Sequence, residues 1–321
     1  MDYKELKERQ NWNLFQKIDH SLGVIDEYIG KLNGKVYVAF SGGKDSTVLL
    51  HLCRIIKPDI KAVFVNTGNE YPDIVKFVRE KKNNGENIEI IFPKLKPKEV
   101  LEQYGFPLIS KSSSAIIRKS KDNPNGLTYK NYVISKKSIF SLAKKWEYLI
   151  KEKYYCSEKC CDILKKEPAL KYIRESGLYP ILGVMAEESQ MREKDYIKQG
   201  KCNSFGENGG KIKSLPLSIW CERDILDYIK DRNIKISEIY SKGAKRTGCM
   251  FCGYGCQFLD DNRLKLVYDL YPKFYNLFMS YTNNGITYRE AMRKLLSVNG
   301  LYLPDEEPPT LFDEYYKNSV K

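Results

Sequence analysis

Apolar residues recur along this chain with two periods, and the switches between them mark out its elements. Leu14, Ile18, Leu22, Ile25 and Ile29 fall three and four apart, so residues 1–30 are expected to form one amphipathic helix. Residues 36–40 are a short apolar run rich in β-formers and predict a buried strand. Residues 47–56 follow, with Val48, Leu49, Leu52 and Ile55 at helical spacing. The alternation continues with a strand over 61–66, a helix over 72–82 that has proline near its start, and a strand over 89–92. Residues 179–186 read as another buried strand, and 286–298 as an amphipathic helix ended by the prolines of 304–309. Such alternation predicts an α/β fold whose parallel sheet is covered on both faces. Ligands of such sheets bind beyond the carboxyl ends of the strands. Residues 110–160 carry weak fold signals and are mostly basic and polar over 111–121 and 135–153; they are read as an insertion over that edge.

Between the first strand and its helix stands Ser41-Gly42-Gly43-Lys44-Asp45-Ser46. Adjacent glycines let the backbone turn sharply and approach a ligand closely. The N-terminus of the following helix directs free amides and a positive dipole end into the turn, which makes a cradle for phosphate. Ser41 and Ser46 add hydroxyls and Lys44 a charge. Asp45 is out of place beside an anion unless it caps the helix or faces a Mg²⁺ shared with the phosphates. A plain capped turn is the simpler alternative, but the full six-residue string after a strand argues against it. The spacing is not that of a G-x-x-x-x-G-K-[ST] loop.

Composition narrows the classes. The chain has 321 residues and is 42% hydrophobic, enough for a proper core. Its apolar runs are too short to span a bilayer, and its charged start lacks a signal segment, so a cytoplasmic protein without membrane attachment is expected. The net charge of +13 favours anionic partners, although lysine is abundant throughout. Only His20 and His51 are present, neither in a motif, which argues against histidine general-base chemistry.

The 41–46 string resembles the pyrophosphate loop (PP-loop) of the ATP pyrophosphatase and sulfonucleotide reductase superfamily. Three further segments resemble its phosphoadenosine phosphosulfate (PAPS) reductase family. Asn66-Thr67-Gly68 matches the Asp-Thr-Gly after that family's second strand, with Asn66 in place of Asp. Gly183 and the run from Glu187 to Arg192 match a Gly-x-Arg segment followed by acidic residues, Ser and Arg, with Met185 in place of the first Arg. Residues 213–229 match a Pro-Leu-x-x-Trp junction in which Trp220, Ile225, Leu226 and Ile229 pack and Ser218 or Asp224 caps. The resemblance covers about residues 35–256. It implies ATP or a sulfated adenosine nucleotide bound, with Mg²⁺ accompanying ATP, by Ser41, Gly42, Gly43, Lys44, Asp45, Ser46, Asn66, Thr67, Gly68 and Gly183. Lys44, Asp45 and Arg192 are the residues expected to act on the phosphates; an ion pair with a neighbouring Glu is the alternative for Arg192.

Six of the nine cysteines fall in two groups, Cys156, Cys160, Cys161 and Cys249, Cys252, Cys256. Such grouping suggests metal or redox work rather than structural disulfides. A Cys₄ zinc site uses the same thiolates, and the pair Cys160-Cys161 favours iron–sulfur over zinc. The arrangement resembles the [4Fe–4S] site of adenosine phosphosulfate (APS) reductases, in which a Cys-Cys helix carrying basic residues faces a later Cys-x-x-Cys. That implies Cys160, Cys161, Cys249 and Cys252 as cluster ligands, with Lys165 and Lys166 as the basic residues and Cys156 or Cys256 as substitutes. The family's reductases attack sulfate with a C-terminal cysteine; residues 257–321 hold none, and 311–321 end the chain without that motif. The expected protein is therefore a PP-loop enzyme of the PAPS reductase family performing ATP-dependent sulfur transfer, similar to the sulfur-transfer proteins of DNA phosphorothioation. It needs a sulfur donor and an acceptor, with nucleic acid a candidate. Sulfonucleotide reduction through Cys156 or Cys256, or a non-catalytic nucleotide or redox sensor, stay open. The expected domains are a helix over 1–30, a PP-loop domain over 31–233 with the 110–160 insertion, and a cysteine loop with helices over 234–321.

Overall fold

Asn13 interrupts the first helical stretch. A computed structural model, which describes residues 2–136 and 138–306, shows two helices there, Tyr3–Gln10 and Leu14–Lys31, instead of one. The Asn13 side chain accepts from the Gln16 amide at 2.9 Å, and the Gln16 side chain accepts from the Asn13 amide at 3.0 Å. This capping box satisfies amides that a continuous helix would have paired internally, so a new helix starts. Apolar periodicity is blind to it because the period resumes on the far side.

Two compact units divide the chain, one of residues 1–93 with 166–247, the other of residues 94–165 with 248–321. Contacts thus group the 110–160 stretch with 94–109 and with the chain after 247.

The first unit is built on a six-stranded sheet in the order Ile88–Ile91, Ala62–Val65, Val36–Ala39, Tyr179–Leu182, Ile212–Ser214, Asn203–Phe205. The first five strands run parallel, and the last is antiparallel to its neighbour. The α/β expectation holds, with that antiparallel edge strand added. The strand expected over 89–92 sits one residue earlier and leaves Phe92 exposed. The 179–186 run is strand only to Leu182. Tyr37 and Val63 pack with Tyr172 of the helix Glu167–Ser176. The helices Leu14–Lys31, Lys44–Ile56 and Glu222–Asp231 pack together, fixed by specific polar contacts. Trp220 Nε1 donates to Ser21 Oγ at 2.8 Å, and Ser21 Oγ donates to the Pro216 carbonyl at 2.9 Å. Buried Lys17 pairs with Asp224 at 2.6 Å, and Asp224 caps its own helix by accepting from the Cys221 amide. His51 packs against Tyr228, with Nδ1 2.9 Å from the phenol oxygen.

From the central Val36–Ala39 strand the chain moves to one side through Ala62–Val65 and Ile88–Ile91, and returns on the other side at Tyr179–Leu182. The loops leaving the two adjacent strands therefore diverge at a topological switch point, where open α/β sheets bind ligands.

The second unit has only short strands among the described residues: a parallel pair, Leu108–Ile109 with Gly253–Tyr254, and a hairpin, Thr282–Asn283 with Ile286–Thr287. Helices Pro97–Tyr104, Lys111–Asp122, Arg263–Leu270, Pro272–Met279 and Tyr288–Ser297 and the segments between them supply its core. Phe106, Tyr154, Phe251, Phe278 and Tyr288 are buried there. A β-carbon on Gly253 would stand 2.5 Å from the Pro107 carbonyl oxygen and 2.8 Å from Tyr288 Oη, so only glycine fits the short parallel pair. The end of the proline-rich 304–309 stretch, from residue 307, lies outside the described residues, as does the 311–321 tail.

Candidate functional site

The loop after the first strand is held in shape by its own hydroxyls. Ser46 Oγ accepts from the Ser41 amide at 3.1 Å, lies 3.0 Å from Ser41 Oγ and donates to the Gly43 carbonyl at 3.0 Å. Gly42 has φ +72°, and a β-carbon there would meet Ile74 and Val78 methyls at 2.8 and 2.9 Å. Gly43 is the N-cap residue, so the helix begins at Lys44, three residues before the apolar period announces it. The first-turn amides of any helix lack intrahelical acceptors, and here they border the glycine turn. The Lys44 amide donates to Tyr240 Oη at 2.8 Å.

Charges gather around that turn. Lys44 is 6% exposed; its ammonium lies 3.5 Å from Asp45 Oδ1 and 3.2 Å from Glu222 Oε1. Burial works against the ammonium, but Asp45, Glu222 and Tyr240 outweigh it, and the pKa of Lys44 stands above its ordinary value. Asp45 does not cap the helix. Its buried Oδ1 makes no hydrogen bond, and burial raises its pKa against the pull of Lys44 and Arg246. Arg192 lies in the first turn of the helix Gln190–Gln199, where Ser189 Oγ accepts from its amide at 3.2 Å, and its guanidinium pairs with Glu188. Burial and Arg246 lower the pKa of Arg192, while Asp45 raises it. Lys44, Arg192 and Arg246 thus act on one half-buried carboxylate. Arg246, Glu222 and Tyr240 are additions that no single stretch of sequence flagged; only the position of Arg246 just before the second cysteine group could have drawn attention.

Asn66-Thr67-Gly68 follows the adjacent parallel strand at the same sheet edge. Asn66 Oδ1 accepts from the Gly68 amide at 3.1 Å, and Gly68 takes φ +80°. Glu70 holds Thr67 inward, accepting from its amide and hydroxyl at 2.9 and 2.7 Å. Gly183, on the loop across the switch point, would carry a β-carbon 3.5 Å from the Asp45 backbone, an ordinary contact. Met185 is buried.

The cysteines of the second unit form a separate centre. Cys160 and Cys161 act on each other, which raises the first thiol's pKa and lowers the second's; Lys111 and Lys165 lower Cys161 further. Cys249 and Cys252 also raise Cys160. Burial, then Cys249 and to a lesser degree Cys161, push Cys252 up to about 12. Cys160 thus senses the other three sulfurs, and this donor set with Lys111 and Lys165 fits a thiolate-bound cluster. Among the described residues no three His, Cys, Asp or Glu side chains are already arranged to hold a metal ion. Lys166, by contrast, falls in the first unit. Cys156 is fully buried, 3.2 Å from Ser114 Oγ, and pushed up to about 12 by burial. Cys256 is 5% exposed, donates to the Cys252 carbonyl at 3.3 Å and is likewise pushed up to about 12. Around the pair, Glu158 receives two hydrogen bonds from Arg118, at 2.7 and 3.1 Å.

A parallel sheet flanked by helices, with this glycine loop at its switch point, is a PP-loop α/β fold. The chain belongs to the phosphoadenosine phosphosulfate reductase family: the family's domain model matches residues 35–121 and 127–254. It is 27% identical to an uncharacterized protein of Methanocaldococcus jannaschii over 84% of this chain and 53% of that one, so it spans about half the length of that relative. It is 23% identical to an adenosine 5'-phosphosulfate reductase of a Geobacillus species, over 77% of this chain and 85% of the relative. A phosphoadenylyl-sulfate reductase structure from Candida auris, a phosphate complex, superposes with a TM-score of 0.42 at 18% identity, covering 72% of this chain and 93% of that one. No helix of the described residues is long and apolar enough to cross a membrane.

Proposed function

We propose that this protein binds ATP with Mg²⁺ at the 41–46 loop and uses it to activate an acceptor for sulfur transfer. The observation that carries this reading is the Gly42-Gly43 turn at the switch point, opening the helix whose first residues are Lys44 and Asp45, with the Lys44 ammonium 3.5 Å from Asp45 Oδ1. An acceptor oxygen attacks the α-phosphorus and the bond to the β-phosphate bridge breaks. The helix amides and Lys44 receive the charge of the leaving pyrophosphate; Asp45 would hold a Mg²⁺ brought in with ATP, which would supply further charge stabilisation there. A hydrosulfide equivalent then displaces AMP from the activated acceptor. Asn66, Thr67, Gly68 and Gly183 shape the neighbouring walls.

Cys160, Cys161, Cys249 and Cys252 would hold an iron–sulfur cluster, which supplies a site for binding and handing on sulfur. Lys111 and Lys165 offset the negative charge of such a group. The names of the curated relatives favour a second reading, reduction of a sulfated adenosine nucleotide. It requires a thiolate that reaches the sulfate, and the burial of Cys156 and Cys256 opposes it.

Anaerobic purification with iron, sulfide and nucleotide analysis tests both parts. Iron and acid-labile sulfide that are lost in Cys161→Ser, together with conversion of ATP to AMP and pyrophosphate, are expected. Stoichiometric zinc without sulfide would remove the cluster, and robust sulfite release from APS or PAPS would replace the transfer reaction with reduction.

A further inference from the structure

Three hydroxyl oxygens crowd the α-carbon of Gly43. A β-carbon built there would lie 2.4 Å from Thr247 Oγ1, 3.2 Å from Tyr240 Oη and 3.3 Å from Ser41 Oγ. Ser41 belongs to the loop itself and receives the Gly43 amide at 3.3 Å. Tyr240 and Thr247 arrive from about 200 residues along the chain. Tyr240 Oη accepts from the Lys44 amide at 2.8 Å and lies 3.0 Å from Thr247 Oγ1. The Lys44 ammonium sits 5.8 Å from the centre of the same tyrosine ring. The turn that carries Tyr240 is tied to the helix Pro72–Asn83 by Lys242, 2.6 Å from Asp73 Oδ1. An uncharged oxygen therefore satisfies the first amide of a 13-residue helix, at the place where a helix N-terminus favours an anion.

We propose that the Tyr240–Thr247 hydroxyl pair is an internal stand-in for a phosphate oxygen, and that it must release the Lys44 amide before a pyrophosphate group can enter the loop. This rests on the reading of the 41–46 loop as a nucleotide site. A phosphate oxygen is a stronger acceptor than a phenol because the bond is charge-assisted. The exchange therefore runs in the ligand's favour, but only after the hydrogen bond to Tyr240 is given up. The stand-in keeps the loop's amide satisfied and its glycine turn in place while no ligand is bound.

Tyr240→Phe removes the competing oxygen and keeps the ring. Calorimetry with ATP and with inorganic pyrophosphate is expected to show severalfold tighter binding to Tyr240→Phe than to the natural protein, and a smaller gain for Thr247→Val. Without any ligand, hydrogen exchange of the peptide covering residues 41–47 is expected to be faster in Tyr240→Phe. Weaker binding would mean that the phenol is a direct ligand, and unchanged binding that it does not compete; either overturns the proposal. If the natural protein binds neither probe, or Gly43→Val binds as well as it does, the nucleotide reading fails instead. The ligand-free exchange experiment still decides whether Tyr240 holds the amide.

Discussion

The glycine loop and the cysteine centre are built on opposite principles. The loop's donors are backbone amides, fixed as soon as the helix Lys44–Ile56 forms, and its hydroxyls already hydrogen-bond to one another. Its geometry needs no ligand. The cysteine centre offers side-chain sulfurs that raise and lower one another's proton affinity, and among the described residues they do not yet surround a point. Bringing four thiolates together without a cation is opposed by their own charge. One site is held by backbone amides and hydroxyls; the other depends on side-chain sulfurs carried on a packed frame. The frame is the tightly packed part: Gly253 admits no side chain, and Ile109 beside it takes a φ of +65°, costly for a β-branched residue.

The largest expected effect tests that frame. Gly253→Ala drives a methyl into the Pro107 carbonyl and should cost about 3 kcal/mol of stability. Gly183→Ala, whose new methyl would stand 3.5 Å from its nearest neighbours, should stay within about 0.5 kcal/mol. Urea unfolding of both variants decides it, and equal midpoints would erase the contrast. Next comes independence of the two sites. Gly43→Val places a branched side chain over the cradle and should weaken ATP binding by tenfold or more in calorimetry with the fold intact. Cys161→Ser should lose iron yet bind ATP within about twofold of the natural protein, since a preformed loop needs nothing from the cysteines.

A smaller effect comes from Asp45. Its folded-state pKa is raised by burial above the ordinary 3.8, so the ionised carboxylate opposes folding. That penalty is absent below 3.8, grows as pH rises through the folded value and is complete above it. Asp45→Asn should therefore raise the melting temperature slightly at pH 7, with the gain shrinking toward pH 4, while ATP conversion to AMP is lost. A variant less stable at pH 7 would show that the carboxylate is well paired after all. The smallest expected effect concerns the acceptor. Residues 111–153 carry eleven Lys or Arg against three Asp or Glu, with Lys119, Lys130 and Lys144 exposed. If nucleic acid is the acceptor, Lys130→Glu should weaken binding modestly and reduce the salt slope by about one. A slope indifferent to this charge would point to a small-molecule acceptor.

What could be read in advance follows from how locally each feature is encoded. The strand, glycine turn and helix from Val36 to Ile56 are contiguous, so their order and the loop's edge of the sheet were legible. The six cysteines were legible as a pattern because sulfur spacing survives in sequence. Tyr240, Thr247 and Arg246 were not, since only the return of the chain brings them to Gly43. Lys111 was missed for the same reason: it reaches Cys161 from another helix. The break at Asn13 was legible in principle, as an Asn three residues before a Gln. The edge strand Asn203–Phe205 was not, because three residues carry too little alternation to be seen.

The pairing of Val36–Ala39 with Tyr179–Leu182 also has a consequence for how the chain is made. Two neighbouring strands are separated by the whole of residues 94–165, which belong to the other unit, and that unit in turn waits for residues beyond 247. During synthesis at roughly 5–20 residues per second, the first three strands emerge with an open edge for several seconds before their partner exists. Long-range parallel pairing is slow even once both strands are present. The nascent chain thus exposes the run Val36-Tyr37-Val38 unpaired on one side for that interval. An edge left unpaired for that interval is open to aggregation, which a lower expression temperature should reduce.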